Sequence, residues 1–97
     1  MYERNKKPSS PYPDNILKAI GIEDITDTIR DNMISVMNSS LLSERERHCL
    51  NEYYRYNRIY SDISNDYDVT RERIRQVVEL GLSKLRKNKN LITRIGL

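Results

Sequence analysis

Apolar residues return every three to four positions between residues 25 and 38, which is the spacing of one face of a helix. These apolar positions are Ile25, Ile29, Met33, Val36 and Met37. Asp24 stands where an N-cap residue is expected, and a polar Asn-Ser-Ser run follows the last apolar position. The pattern therefore predicts a first helix over residues 25–38.

A second helix is predicted to begin after Ser43. Glu46 follows three residues later, and this spacing is typical of a capping box, in which each side chain accepts a hydrogen bond from the backbone N–H of the other residue. Apolar and aromatic side chains continue on one side as far as residue 56, where we expect this helix to end.

A short helix over residues 60–67 and a long helix over residues 71–87 are predicted next. Asp68 is the expected turn residue between them, because aspartate adopts the left-handed backbone conformation more readily than most residues do. Thr70 is a suitable N-cap for the long helix. The apolar face of that helix consists of Ile74, Val77, Val78, Gly81 and Leu85.

The segments on either side of these helices are predicted to be less regular. All three prolines lie within the first 14 residues, which favours an extended arm or linker. Residues 15–22 form an apolar patch of one or two helical turns, which Gly21 is expected to end. Residues 88–90 are expected to form a loop, and residues 91–97 are apolar enough to pack back onto the domain.

These observations divide the chain into an N-terminal arm or linker (1–24), a helical domain (25–88) and a C-terminal tail (89–97). No segment alternates with the period of two that a half-buried strand shows, so the predicted fold class is all-α.

Composition removes several functional classes. The chain has one cysteine, Cys49, and one histidine, His48, so an intramolecular disulfide and a cysteine-rich zinc site are excluded. No apolar run approaches the roughly 20 residues of a membrane span, and the first residues lack the apolar core of a signal peptide. We therefore expect a cytoplasmic binding module without metal, cofactor, membrane partner or enzymatic activity.

Positive charge is concentrated at the end of the chain. The net charge is +3 overall, but residues 69–97 carry 8 basic and 2 acidic groups, while residues 1–68 are net negative. A basic segment of this kind favours a polyanionic partner.

Two helices joined by a tight turn, the second beginning with alternating Arg and Glu, are typical of a helix-turn-helix. Arg71, Glu72, Arg75 and Gln76 fall in the first two turns, and these residue types hydrogen-bond to base edges in the major groove. The residues expected to contact phosphates are Arg73, Lys84, Arg86, Lys87 and Lys89. A solvated basic face that binds nothing is the alternative interpretation.

The segment VTRERIRQ at residues 69–76 closely resembles the recognition-helix signature of region 4.2 of bacterial sigma factors. LSKLRK at residues 82–87 is similar to the end of that helix, and LSERERHCL at residues 42–50 resembles the start of an earlier helix in the same region. The resemblance extends over residues 25–88 and implies a four-helix region 4 domain with a C-terminal helix-turn-helix.

The resemblance also implies double-stranded DNA as a partner, read at a promoter −35-like element. Carried over by position, Arg71, Glu72 and Gln76 face base edges, while Arg73 and Arg75 contact bases or phosphates. The predicted DNA-binding set is Thr70, Arg71, Glu72, Arg73, Arg75, Gln76, Lys84, Arg86 and Lys87.

Region 4 of the family also binds the flap of the RNA polymerase β subunit through an apolar surface of its first two helices. The residues implied here are Ile29, Met33, Val36, Met37, Leu41, Leu42 and Leu50. Each of them also suits the ordinary core of a helical domain.

Some features depart from the family. Asp68 stands where the family usually has glycine, and nothing resembles regions 2 and 3, which recognise the −10 element and melt DNA. We therefore expect a stand-alone region 4-like protein, which is either half of a two-part sigma factor with a region 2-containing partner or a phage- or plasmid-type regulator of polymerase. A fragment of a longer sigma factor is a further interpretation. The alternative from another class is a protein-interaction adaptor that keeps the fold without reading DNA.

Overall fold

Six α-helices and one π-helical segment form the regular structure of residues 10–94, which are the residues that this computed structural model describes. In chain order they are α1 (Asp14–Ala19), α2 (Asp27–Met37), α3 (Glu44–Leu50), the π-helical segment (Asn51–Arg55), α4 (Tyr60–Tyr67), α5 (Arg71–Lys87) and α6 (Lys89–Thr93). No strand occurs within residues 10–94, and the predicted all-α class is confirmed.

Helix α1 lies in the segment predicted to be an arm or linker. Ile16, Leu17 and Ile20 are fully buried in the main hydrophobic core. The buried Asn15 side chain donates a hydrogen bond from Nδ2 to the backbone oxygen of Tyr54 at 2.8 Å. Residues 14–22 are therefore part of the helical domain rather than of an arm, because their apolar side chains are needed to fill its core. Residues 1–9 of the predicted arm lie outside the described residues.

Helices α2 and α3 begin at well-defined caps. Thr26, and not Asp24, caps α2, because its Oγ1 accepts a hydrogen bond from the Ile29 N–H at 3.2 Å. The predicted capping box of α3 is confirmed. Ser43 Oγ accepts from the Glu46 N–H at 3.1 Å, and Glu46 Oε1 accepts from the Ser43 N–H at 2.9 Å.

The second predicted helix changes its hydrogen bonding after Leu50. It continues as the π-helical segment, which ends with a bond from the Tyr56 N–H to the Asn51 oxygen five residues earlier, at 3.0 Å. Carbonyl groups at a helix end lack partners within the helix, and Asn15 of α1 supplies one for Tyr54. Contacts between distant segments therefore stabilise this irregular turn.

Helix α5 packs closely against α3 at Gly81. A Cβ atom on Gly81 would lie only 2.8 Å from Cδ1 of Leu50 and 3.6 Å from Cβ of Glu46. The absence of a side chain at Gly81 allows the two helices to approach, and Ile74, Val78 and Leu85 extend the same buried face of α5.

The C-terminal helix α6 closes onto α2. Ile92 is fully buried, and Asn32 of α2 donates hydrogen bonds from Nδ2 to the backbone oxygens of Ile92 and Arg94 at 2.8 and 2.9 Å. The loop expected at residues 88–90 is reduced to Asn88, while the tail packs back as expected as far as it is described. Residues 95–97 lie outside the described residues.

None of the helices described here is both long and apolar enough to cross a bilayer.

Candidate nucleic-acid interface

The turn between α4 and α5 has the predicted geometry. Asp68 adopts the left-handed conformation (φ 57°, ψ 46°), and the Val69 N–H closes the end of α4 on the Ser64 oxygen at 3.2 Å. Thr70 then caps α5, with its Oγ1 accepting from the Arg73 N–H at 3.1 Å. The two helices are therefore joined by three residues, as in a helix-turn-helix.

The first turns of α5 present polar side chains to solvent. Ile74, Val77 and Val78 are buried against the bundle. The exposed residues are Arg71, Glu72, Arg73, Arg75 and Gln76, which are the five predicted to read bases or phosphates. Burial of one face of α5 thus orients the opposite face outward, where a helix can enter a major groove.

Arg75 and Glu72 form a two-point ion pair on this exposed face. The Arg75 guanidinium donates from Nε to Glu72 Oε1 at 3.0 Å and from Nη2 to Oε2 at 2.6 Å. The hydrogen bond from Arg75 holds the pKa of the Glu72 carboxyl below its ordinary value. Both side chains are about half exposed, so Arg75 can exchange its partner for a base edge or a phosphate, and Glu72 can exchange its partner for a base amino group, at little cost.

Lys84 lies away from this face. Its ammonium donates to Glu46 Oε1 at 2.8 Å, and the Glu46 side chain is only 10% exposed. Burial alone would raise the pKa of Glu46, but the bonds from Lys84 and Ser43 outweigh burial and lower the pKa. The structure thus gives Lys84 a role that the sequence missed, which is to tie the start of α3 to α5.

The other predicted phosphate contacts remain on the surface. Arg86 and Lys87 are exposed in the last turn of α5, and Lys89 is exposed at the start of α6. Arg86 also reaches the Ala19 oxygen at a long 3.4 Å. Their position leaves them available to a partner.

Two tyrosines connect the π-helical segment to α4. The rings of Tyr53 and Tyr60 stack with centroids 4.5 Å apart and planes inclined by 18°. Burial raises the pKa of Tyr60, and the neighbouring Tyr53 and Glu79 act in the same direction. Tyr60, the first residue of α4, also interacts electrostatically with Arg75. The start of α4 therefore lies beside the middle of α5.

A second aromatic group involves a residue near the N-terminus. The Arg55 guanidinium lies 5.5 Å from the ring centroid of Tyr12 and 5.6 Å from that of Tyr56. Burial raises the pKa of Tyr12, whereas the positive charge of Arg55 opposes that rise. The sequence shows many tyrosines between residues 53 and 60, but no local signal places Tyr12 next to them.

His48, Glu52 and Asp66 bring potential metal-ligating atoms within 4.8 Å of one another. Arg58 already binds both carboxylates, with Nη1 2.7 Å from Glu52 Oε1 and 2.5 Å from Asp66 Oδ2. Hydrogen bonds from Arg58 lower the pKa of Asp66. Because the guanidinium neutralises both acids, we interpret the cluster as an ion-pair network that ties α4 to the π-helical segment.

Most residues expected to face polymerase are in the core. The five that are buried are Met33, Val36, Met37, Leu42 and Leu50. Their core cluster includes Ile16 and Leu17 of α1, Ile20 directly after α1, and Ile92 of α6, and the expectation included neither helix. Ile29 and Leu41 are only partly buried. The apolar surface predicted from the first two helices is therefore covered by the chain's own flanking segments, except at these two residues.

Comparison with known proteins gives a family match. The family model described as "Sigma-70, region 4" matches residues 40–87, a range that contains α3, the π-helical segment, α4 and α5. No match was found among curated proteins or among solved structures.

Proposed function

Since residues 40–87 form a sigma-70 region 4-like domain, as their motifs predicted, we propose that the chain binds a promoter −35-like element in double-stranded DNA and contacts the β flap of RNA polymerase. The family is one of DNA-binding transcription regulators with a helix-turn-helix, and not one of enzymes. On this proposal the protein is part of a two-part sigma factor or a phage- or plasmid-type regulator of polymerase.

The observation that supports DNA binding most directly is the exposed start of α5. Arg71, Glu72 and Gln76 lie on the first two turns of a helix that Thr70 caps and whose opposite face is buried. Arg pairs with guanine, Gln with adenine, and Glu accepts from the amino group of cytosine. We assign base reading to these three residues and backbone or base contacts to Arg73 and Arg75.

The polymerase contact is proposed for the surface around Ile29 and Leu41. They are the two residues of the predicted set that are not fully enclosed in the core. A flap segment with an apolar tip would meet them without opening the bundle, and a region 2-containing partner would supply promoter melting.

DNA binding is tested by selecting duplexes from a randomised pool and measuring affinity by fluorescence anisotropy. Substitution of Gln76 by Ala should reduce the difference in binding free energy between the preferred base and the other bases, at one base pair, by about 1–3 kcal/mol. Charge reversal at Arg71 should abolish the enrichment of a preferred sequence from the pool. If the purified chain binds no duplex more tightly than a scrambled control, the DNA-reading proposal fails.

Polymerase binding is tested separately by pull-down with core enzyme and with an isolated β flap. Ile29→Asp should weaken capture, whereas Thr28→Asp, at an exposed neighbour in the same helix, should leave it unchanged. If the function of the chain in transcription survives charge reversal at Arg71 and Arg75, DNA reading is not its activity and the adaptor function is favoured instead. Failure to capture either target would reject the polymerase contact.

A further inference from the structure

Leu80 places an exposed apolar side chain on a helix face that is otherwise polar. It is 52% exposed, and among the residues of α5, all of which the structure describes, it is the only apolar one on the surface. The other exposed residues of the helix are Arg71, Glu72, Arg73, Arg75, Gln76, Glu79, Arg86 and Lys87. Packing within residues 10–94 therefore gives no reason for a leucine at this position.

Leu80 lies one turn after Gln76, which is one of the three residues proposed to read bases. Residues four apart on a helix are neighbours on its surface, and helical side chains lean toward the N-terminus. Leu80 therefore leans toward the turn that carries Gln76. Arg73, in the turn before, donates from Nη1 to Gln76 Oε1 at 3.5 Å. The residues Arg73, Gln76 and Leu80 thus follow one another along one strip of the exposed face.

The acidic neighbour Glu79 points to a different side of α5. Burial raises the pKa of Tyr54 and Tyr60, and the negative charge of Glu79 acts in the same direction on both. The carboxylate of Glu79 is therefore on the side of these tyrosines. Because consecutive residues of a helix point about 100° apart, Leu80 is turned away from that side.

We propose that Leu80 contacts the C5-methyl group of a thymine in, or directly next to, the base pair that Gln76 reads. This inference rests on the proposed DNA-binding function and adds a residue that determines its specificity. Glutamine pairs with N6 and N7 of adenine, and the thymine opposite that adenine presents its methyl group in the same groove. A leucine one turn from the glutamine removes this methyl group and its own apolar surface from water.

The same contact disfavours other bases. Cytosine has no methyl group at C5, and guanine presents the acceptors N7 and O6. Leucine has no hydrogen-bond donor for these acceptors, and it would displace the water that satisfies them. Leu80 therefore favours thymine over cytosine and guanine at its position.

The test uses the full chain and a duplex selected from the randomised pool. Each thymine of the selected sequence is replaced in turn by uracil, which keeps the base pair and removes only the methyl group. One replacement, at or next to the pair whose preference Gln76→Ala loses, should weaken binding about fourfold in fluorescence anisotropy, as expected for one buried methyl group. Leu80→Ala should bind the thymine duplex at least fourfold more weakly, and uracil should then cause no further loss.

Leu91→Ala is the matched control. Leu91 is 38% exposed on α6, which is bonded to α2, so the same truncation is made outside α5. This variant should bind the thymine and uracil duplexes as the unmodified chain does. Circular dichroism of each variant checks that the fold is kept.

Three results would overturn the inference. If uracil weakens Leu80→Ala as much as the unmodified chain, or if no thymine within one pair of the Gln76 position responds, the methyl contact is rejected although sequence-selective binding stands. If Leu80→Ala binds every duplex normally but captures less polymerase core enzyme, Leu80 belongs to a protein contact. If no duplex is selected from the pool, the DNA-reading proposal itself fails and the methyl contact fails with it.

Discussion

Replacing Lys84 by methionine distinguishes a structural role from the DNA contact that the sequence predicts for this residue. Methionine keeps a long apolar side chain and removes the ammonium that lies 2.8 Å from Glu46 Oε1. A hydrogen bond to a charged group contributes about 1.5–3 kcal/mol net. Because the Lys84 side chain is 43% exposed and water can replace part of the bond, we reduce this to about 1–2 kcal/mol.

The expected result is a loss of stability without a loss of electrostatic DNA binding. A change of this size lowers the melting temperature of a domain of this length by roughly 5–10 °C, which thermal unfolding followed by circular dichroism at 222 nm will detect. The salt dependence of DNA affinity should not change. Lys87→Met, an exposed lysine in the last turn of the same helix, is the control and should leave the melting temperature nearly unchanged.

The effect of Lys84 also depends on pH. The pKa of Glu46 is lowered in the folded state, because the bonds from Lys84 and Ser43 outweigh its burial. A carboxyl with a lowered pKa stabilises the fold above its unfolded-state pKa, and this contribution is lost as the pH falls through the folded-state value. The difference in the free energy of unfolding between the unmodified chain and Lys84→Met should therefore be largest near pH 7 and should decrease below about pH 4.3.

The opposite pattern would refute this reasoning. If Lys84→Met melts like the unmodified chain and its log affinity for DNA depends less on log salt, by about 0.9, then Lys84 contacts phosphate and the bond to Glu46 is unimportant in solution.

Three further substitutions test the turn before α5, the packing of α5 against α3 and the attachment of α6 to α2. Asp68→Gly should stabilise the domain by up to about 1 kcal/mol, because the left-handed conformation costs a non-glycine residue about 1–2 kcal/mol and the flexibility of glycine offsets part of the gain. A lower melting temperature for Asp68→Gly than for the unmodified chain would contradict this expectation. Gly81→Leu should destabilise by about 2 kcal/mol or more in urea unfolding, since its side chain would overlap Leu50, and an unchanged midpoint would argue against the close packing. Asn32→Ala removes two bonds to α6 and should increase amide exchange at residues 88–94 but not in α5. If amide exchange at residues 88–94 is the same in Asn32→Ala as in the unmodified chain, Asn32 does not hold α6 in place.

Local sequence signals predicted the centre of the domain well. The capping box of Ser43 and Glu46, the cap at Thr70 and the left-handed turn at Asp68 depend only on residues within three or four positions, and all three occur. The bounds of α4 and α5 agree with the prediction for the same reason. These elements determine which face of α5 is buried, so the exposed position of the five proposed reading residues was predictable as well.

Features that depend on distant residues were not predictable. The sequence indicated one or two helical turns within residues 15–22 and a tail that packs back, but it did not show that α1 and α6 are held in the domain by bonds across the chain through Asn15 and Asn32. The seven residues expected to face polymerase form an apolar face. A periodic pattern shows that such a face exists, but it does not show which segments cover it. The pairing of Lys84 with Glu46 spans 38 positions and has no sequence signature.

The positive excess after residue 68 does not act as one DNA-binding charge. Within that segment Lys84 is paired with Glu46 and Arg75 with Glu72, so two cations are compensated inside the protein. Arg86 lies fifteen residues after Arg71, or about 22 Å along the helix, so it is about four turns away from the residues proposed to read bases. Because folding pairs some of these cations, the DNA-binding surface must be identified from the position and exposure of each cation in space and not from net charge along the chain.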